Sequence, residues 1–355
     1  MERLKWFIKG LRRFATSEPL YVWMVVFVIM VNLIVFIANY GRTPEPQELG
    51  DPTSKAQMLI EGKEELESII GEDKNAAFTL SLVAIGMILF LFLGIILDLI
   101  ILIRRNASKD LLERTLFFGS VNWSVWDALK VMILFVFFGY VIAITETFII
   151  TPLFPCVKAN KGIASIVNAT ILDIIAVSAV LYFVLRCKNK IGDLGLSLKN
   201  FFKNIYYGIA GYISVIPVLF MALLLTIILV NIFKYKPAPQ PVMEVFLEEE
   251  KTAVLTYMTF FVAVLGPVME EIFFRGFLYN AIKKEAGIKS AVFISAVLFS
   301  FLHAHAVGFL PILVLGVFLA YLYEKTGSLV PSITVHVAHN LIMVFFVFLI
   351  KGINV

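Results

Sequence analysis

Long apolar runs, separated by shorter polar stretches, extend along most of the chain. Most runs approach the roughly 20 residues that a helix needs to cross about 30 Å of hydrocarbon. Inside a bilayer the backbone must satisfy its own hydrogen bonds, so each run is expected to be a helix. The pattern predicts about nine membrane spans: Leu20–Tyr40, Ala77–Ile103, Val125–Ile150, Ile163–Leu185, Ile205–Phe233, Val254–Ile282, Ala291–Leu302, Phe309–Tyr323 and Val330–Ile350.

The seventh and eighth predicted spans are shorter than a full crossing requires. Their joint, Ala304–Leu310, is apolar, contains Gly308 and is followed by Pro311. Proline ends or bends a helix because it lacks a backbone N–H. This region is therefore predicted to be a bent or partly re-entrant hairpin.

Composition agrees with the apolar pattern. Hydrophobic residues make up 60% of the chain, charged residues only 16%, and the mean hydropathy is +0.91. A soluble globular protein needs far less apolar sequence. The predicted fold class is an all-α, polytopic transmembrane helical bundle embedded in a lipid bilayer. The net charge of +4 forms no concentrated basic face, which argues against nucleic acid as a partner.

Lysine and arginine concentrate in alternate short loops. The N-terminal segment, the second loop and the fourth loop are basic, whereas Gly41–Asn75 holds nine carboxylates against four basic residues. Basic loops stay on the cytoplasmic side. The N-terminus is therefore predicted to be cytoplasmic and, with nine spans, the C-terminus to lie outside.

The C-terminal part of the chain holds all four histidines, and they follow a pair of carboxylates, Glu270 and Glu271. Ionisable side chains are costly in a bilayer, so such a cluster in neighbouring spans is by default a functional-site hypothesis. The other acids in apolar segments are Asp98, Glu146 and Asp173. The first two lie near span ends, where solvated positions would explain them, whereas Asp173 lies at mid-span and could line the same cavity.

The two glutamates are expected to differ in role. Residues four apart share a helix face, so Glu271 can pair with Arg275, while Glu270 points about 100° away. Glu270 then has no local cation and is available as a general base. The alternative is that both acids merely neutralise Arg275.

Histidines occur at His303 in the seventh span and at His336 in the ninth. His336 and Asn340, at i and i+4, can present hydrogen-bond donors to a single point, although a polar tie between helices is a common alternative. Counted from the predicted cytoplasmic ends at a 1.5 Å rise per residue, Glu270 lies about 20 Å in, His303 about 21 Å and His336 about 14 Å, a difference that helix tilt and boundary error can absorb. We therefore expect them to meet in a water-accessible cavity.

Three motifs occur in order on successive apolar segments: EExxxR at Glu270–Arg275, FxxxH at Phe299–His303 and HxxxN at His336–Asn340. Together they resemble the signature motifs of the CPBP family, which comprises CAAX prenyl endopeptidases of the Ras-converting type and bacteriocin-processing or immunity proteins, also called the Abi family. The resemblance covers roughly Val254–Phe346. Residues 1–120, with two spans and the acidic outer loop, have no counterpart in that family core and are predicted to be an extension of a core spanning 121–355.

The resemblance implies an intramembrane endopeptidase. Glu270 would activate water with the help of His303, His336 and Asn340 would stabilise the oxyanion, and Glu271 and Arg275 would hold the site together. Glu270, His303 and His336 could instead be ligands of a divalent metal such as zinc, but a metal-free mechanism is preferred. His305 and His339 are expected to be structural or supporting residues.

The substrate class is not fixed by the sequence. A prenylated CAAX peptide, a peptide precursor and a membrane-protein segment all fit a multi-pass protein of the cell membrane, or of the endoplasmic reticulum membrane in a eukaryote. Two other functions stay open: a catalytically silent scaffold or immunity protein, and an ion-coupled transporter. A transporter would favour internal inverted symmetry, which the sequence does not display.

Overall fold

A computed structural model describes residues 2–40, 74–106, 121–154, 161–235, 245–247, 249–303 and 307–353. Eight of its helices are long and apolar enough to cross a membrane, which confirms the predicted all-α polytopic bundle. The helices are α1 (Glu2–Ser17), α2 (Pro19–Asn39), α3 (Lys74–Asn106), α4 (Val125–Thr145, continued to Leu153 through a π-helical turn), α5 (Lys161–Arg186), α6 (Phe201–Ile232), α7 (Thr252–Leu302), α8 (Phe309–Thr326) and α9 (Leu329–Ile353).

The sixth and seventh predicted spans form the single helical run α7, which is why eight candidate spans are found rather than nine. Gly287 interrupts this run with φ 81° and ψ 173°, a conformation that only glycine adopts readily. The ring centroids of Phe274 and Phe299 lie 5.1 Å apart. The first arm (residues 252–286) and the second arm (residues 288–302) therefore fold back against each other.

The three motifs lie at the centre of the bundle, on both arms of α7 and on α9. The second arm packs on α8, and α6 packs on both α8 and α9. Close approach depends on glycine: a Cβ at Gly208 of α6 would lie 2.5 Å from the Thr334 Cβ and 2.9 Å from the Pro331 carbonyl. Small residues allow such contacts between membrane helices.

Helices α2 and α3 lie at the edge of the bundle. Helix α2 packs on α4 and α3 packs on α6. Asn32 of α2 donates to the Tyr140 hydroxyl at 2.7 Å, and Ser214 of α6 donates to Asp98 of α3. Asp98 therefore pairs with a neighbouring helix, while its solvated or snorkelling position stays a prediction.

Glu146 likewise has a partner on a neighbouring helix. It lies in the π-helical turn Glu146–Ile150 of α4 and accepts a hydrogen bond from Asn168 of α5. Polar side chains in apolar helices often bond across to the next helix in this way. Both peripheral acids thus have a local partner.

The predicted cytoplasmic segments converge at one end of the bundle. Lys284 donates to the Asn122 carbonyl at 3.2 Å, and Asn122 donates to the Cys187 carbonyl at 3.0 Å. At the same end, the Leu329 amide donates to the Gly195 carbonyl at 3.0 Å. We call this the basic end. The orientation in the membrane stays a prediction, as does the division near residue 120, since residues 41–73 and 107–120 lie outside the described part of the chain.

Candidate active site

Glu270 and Glu271 lie on a short α-helical segment, Gly266–Glu271, between two π-helical segments of α7. These are Phe261–Leu265 and Ile272–Tyr279. Wide helical turns of this kind are rare and occur frequently at functional sites. Both acids lie within the regular α-helical segment, where successive side chains differ in direction by about 100° and so face different surroundings.

Glu271 forms a fully buried ion pair with Arg275. The Arg275 Nη1 donates to Glu271 Oε1 at 2.7 Å, and its Nη2 donates to the Gly316 carbonyl of α8 at 3.2 Å. His336 Nδ1 lies 3.1 Å from the same Glu271 oxygen. This cluster ties α7, α8 and α9 together, and the pairing matches the i,i+4 expectation.

Phe299 packs against the polar cluster on several sides. Its ring centroid lies 4.4 Å from the Arg275 guanidinium carbon, 4.6 Å from the His303 ring and 5.5 Å from the His336 ring. A guanidinium over an aromatic face gains a cation–π attraction, which strengthens where water is excluded. Phe299 is the first residue of the FxxxH motif, and its i,i+4 spacing from His303 is the signal in the sequence for this ring contact.

Glu270 points away from Arg275 and reaches both histidines. Its Oε2 lies 3.7 Å from His336 Nε2 and 4.0 Å from His303 Nε2. The Oε2 atom is buried and has no hydrogen-bond partner among the described residues, yet about a third of the side chain is exposed. The structure thus brings the predicted acid and both predicted imidazoles from separate helical segments to one place.

The Nδ1 atoms of both imidazoles form hydrogen bonds away from Glu270. His336 Nδ1 faces the Glu271 carboxylate, and His303 Nδ1 lies 2.8 Å from the Phe299 carbonyl. Both oxygens can only accept, so each Nδ1 carries a hydrogen. Both Nε2 atoms are then directed to Glu270 Oε2.

Asn340, the predicted oxyanion donor, contacts α7 instead of Glu270. Its Nδ2 donates to the Val262 carbonyl at 2.8 Å. In this π-helical segment the Gly266 amide donates five residues back to Phe261, so Val262 would accept from residue 267. That residue is proline and has no N–H. Asn340 therefore supplies the missing donor and uses one of its two amide hydrogens.

The other histidines are placed differently. His339 Nδ1 lies 3.4 Å from the Tyr212 hydroxyl of α6, and the two rings meet edge to face. This contact agrees with the expected structural role. His305 lies outside the described residues, because residues 304–306 are not described.

A cavity extends from Glu270 and His303 between α4, α5 and α7. Its empty space, including the part open to the surroundings, is about 770 Å³. Most of the wall is apolar and includes Phe135, Val136 and Phe273. Asp173 of α5 lines the same cavity, as the sequence suggested for a carboxylate at mid-span.

The donor atoms are spaced more widely than the ligands of a tetrahedral zinc ion. Tetrahedral zinc with bonds of 2.0–2.1 Å needs ligand atoms about 3.4 Å apart, whereas Glu270 Oε2 is 3.7 and 4.0 Å from the two Nε2 atoms. Among the described residues, no group of three or more His, Cys, Asp or Glu side chains is arranged to hold a metal ion. No step below is assigned to a metal.

Comparison with known families identifies the segment that holds this site. Residues 252–342 match the family described as type II CAAX prenyl endopeptidase Rce1-like. The match runs from α7 into α9 and includes all three motifs, which confirms the resemblance drawn from them. No curated protein and no solved structure matched the chain.

Proposed function

We propose that this protein is an intramembrane endopeptidase of the CAAX type in which Glu270 activates the hydrolytic water. The observation that carries the proposal is the position of Glu270 Oε2, unpaired and within 4.0 Å of two imidazole Nε2 atoms at the wall of a cavity. The family match over residues 252–342 supports a protease. Eight apolar helices support a multi-pass membrane protein.

The hydrogen bonds of the two Nδ1 atoms, on His303 and His336, determine what the two Nε2 atoms can bind. With both Nδ1 atoms acting as donors, neutral imidazoles would turn two Nε2 lone pairs toward a carboxylate oxygen, which is repulsive. A proton, or a water molecule that donates, relieves this repulsion. We place the reactive water on the exposed side of the Glu270 carboxylate, beside His303, because these two groups face the cavity.

Hydrolysis then proceeds by general-base catalysis. The water oxygen attacks the scissile carbonyl carbon while Glu270 accepts its proton, and the carbonyl π electrons move onto the oxygen. Collapse of the tetrahedral intermediate breaks the C–N bond, and protonated Glu270 returns the proton to the departing amine. His303 orients the water, and Glu271 with Arg275 holds His336 in place.

The developing oxyanion is assigned to donors on α9. His336, with a hydrogen on both ring nitrogens, donates from Nε2 into the site while its Nδ1–H donates to Glu271. Asn340 contributes the amide hydrogen not used by Val262, after a small rotation of its side chain. Such donors act strongly where water is scarce.

The apolar wall of the cavity supports a substrate with an apolar or lipid-modified segment. A C-terminal CAAX peptide bearing a prenyl group is the substrate class that the family match favours. Asp173 adds one carboxylate to this wall and is assigned to substrate contact. An apolar wall also limits competing water near the intermediate.

The test is cleavage of synthetic peptides by the full chain reconstituted in vesicles. The substrates are a farnesylated CAAX peptide, the same peptide without the lipid, and an apolar peptide lacking a CAAX end, with products identified by mass spectrometry. We expect cleavage of the farnesylated peptide by the wild type and none by Glu270→Ala. Cleavage by Glu270→Ala would remove Glu270 as the base, and failure of the wild type on every peptide would favour the silent scaffold.

A further inference from the structure

A second cavity lies at the basic end of the bundle, away from Glu270. It is formed where the segment before α6 meets the turn between α8 and α9. Its lining includes Ser197, Lys199, Lys203, Asn204, Tyr207 and Lys325. The catalytic proposal uses none of these residues.

The electrostatics of this cavity favour an anion. Three lysines line it, and among the described residues no carboxylate does. The nearby acids bond elsewhere: Glu324 pairs with Lys283 at 2.7 Å, and Asp193 accepts from Asn189 at 2.9 Å. These two carboxylates are therefore engaged with Lys283 and Asn189 and do not pair with Lys199 or Lys203.

The N-terminus of α6 adds to this field. The helix has 32 residues, and the side chain of Asn200 at its N-cap makes no capping hydrogen bond. Unsatisfied amide groups at the start of a helix attract anions, and phosphate is a frequent ligand of such positions. Lysines and helix N-terminus thus act on the same space.

The surroundings of the cavity indicate lipid as the source of the anion. Leu198, Phe202 and Tyr206 are spaced by four residues and are 81%, 84% and 67% exposed. Each directly precedes a cavity-lining residue, Lys199, Lys203 or Tyr207. An apolar and aromatic strip therefore runs beside the lysines, as at a membrane interface where chains and headgroups meet.

We propose that this cavity binds the phosphate of an anionic phospholipid headgroup. Basic pockets between membrane helices are suited to such headgroups. The exposed strip contacts the acyl chains while the lysines and the α6 amides contact the phosphate. This site is independent of peptide hydrolysis.

The test measures lipid binding to the purified full chain in an uncharged detergent, by native mass spectrometry. The ligands are dioctanoyl phosphatidic acid, dioctanoyl phosphatidylcholine and inorganic phosphate. The test variant is Lys199→Gln with Lys203→Gln. The control is Lys188→Gln with Lys190→Gln, which removes the same charge from exposed lysines of the same end that do not line the cavity.

We expect phosphatidic acid to bind the wild type and the control alike, and the cavity variant about thirtyfold more weakly, since two lysines near the surface together contribute about 2 kcal/mol. Equal weakening in both double variants would assign binding to general surface charge and overturn the proposal. Inorganic phosphate or phosphatidylcholine binding as tightly would overturn the lipid assignment. If the double variant does not fold, the single Lys203→Gln replaces it under the same criteria.

Discussion

The peripheral helices α2 and α3 differ from the central helices α7, α8 and α9 in both hydropathy and burial. The more apolar helices are the less buried ones. The peripheral pair is the more apolar, with mean hydropathies of 2.8 and 2.9, yet 0% and 6% of their span residues are buried. The central helices have values of 1.8, 1.5 and 1.9, and 28%, 33% and 22% are buried. In a bilayer apolar side chains can face lipid, whereas polar groups need protein partners. Among these five helices the less apolar ones therefore form the interior.

The two regions also use polar contacts differently. The peripheral helices are linked by isolated pairs such as Asn32 with Tyr140, whereas the centre joins Glu271, Arg275 and His336 in one network. A single interhelical hydrogen bond in a membrane averages about 0.6 kcal/mol. Removal of one member of the central network should lower the free energy of unfolding by far more, because it leaves a buried charge unpaired.

The comparison is tested most strongly by removing the charge of one acid from each region. Glu270→Gln should lower kcat by about 10² to 10⁴-fold, the range for loss of a general base. Asp98→Asn in α3 should change kcat by less than about twofold, since Asp98 only pairs with Ser214. Steady-state cleavage assays check both, and equal losses would show that the peripheral helices take part in catalysis.

Stability should separate the same regions. Arg275→Met leaves Glu271 buried without its cation and should lower the free energy of unfolding by about 3–5 kcal/mol. Asn32→Leu removes one peripheral hydrogen bond and should cost about 1 kcal/mol or less. Denaturant unfolding in mixed micelles measures both values, and similar losses would contradict the assigned difference.

Asn340 distinguishes a catalytic donor from a structural tie. Asn340→Ala should lower kcat by about 10²-fold if the amide stabilises the oxyanion, while the lost bond to Val262 costs about 1 kcal/mol. The two quantities are measured on the same preparation. A loss of stability with unchanged kcat would leave Asn340 only as the link between α9 and α7.

Two glycines of close helix contacts provide a matched pair. A Cβ at Gly94 would meet Ile213 of α6 at 2.5 Å, and one at Gly208 would meet Thr334 of α9 at 2.5 Å. Gly208→Val should displace α9, which carries His336, and lower kcat by about tenfold, because a misplacement of about 1 Å is costly. Gly94→Val should loosen α3 and leave kcat nearly unchanged; an equal loss would mean that α3 positions the site.

The smallest effect is expected from chelators. Since Glu270 and the two imidazoles are spaced more widely than zinc ligands, cleavage should persist in a strong chelator at full rate. Activity that disappears and returns with added zinc would contradict the metal-free proposal. Metal analysis of the purified protein provides a second measurement.

Local spacing and depth predicted much of this arrangement. The Glu271–Arg275 pair follows from i,i+4 geometry, and the approach of Glu270 to His303 and His336 follows from similar depths in the bilayer. Both inferences depend only on helix dimensions. Hydropathy likewise predicts the membrane helices because lipid leaves the backbone little choice.

Other features depend on long-range packing or on exceptions to regular helix geometry. The π-helical segments on either side of Glu270 and Glu271 have no signature in the hydropathy of the sequence. The reversal of the chain at Gly287 depends on the φ angle of that single residue. The docking of α3 on α6 is determined by surfaces far apart in sequence. The bond from Asn340 to Val262 required knowing that a carbonyl on another helix lacks its donor.

Pro267 links α7 to α9 because it lacks a backbone amide hydrogen. Without an amide hydrogen at this position, the Val262 oxygen has a free lone pair that attracts the Asn340 side chain. Replacing this imino acid with alanine would fill that acceptor from within α7 and release the carboxamide to rotate. A substitution at Pro267 would thus change the turnover rate through the mobility of the Asn340 carboxamide on α9, without a contact between residue 267 and the peptide.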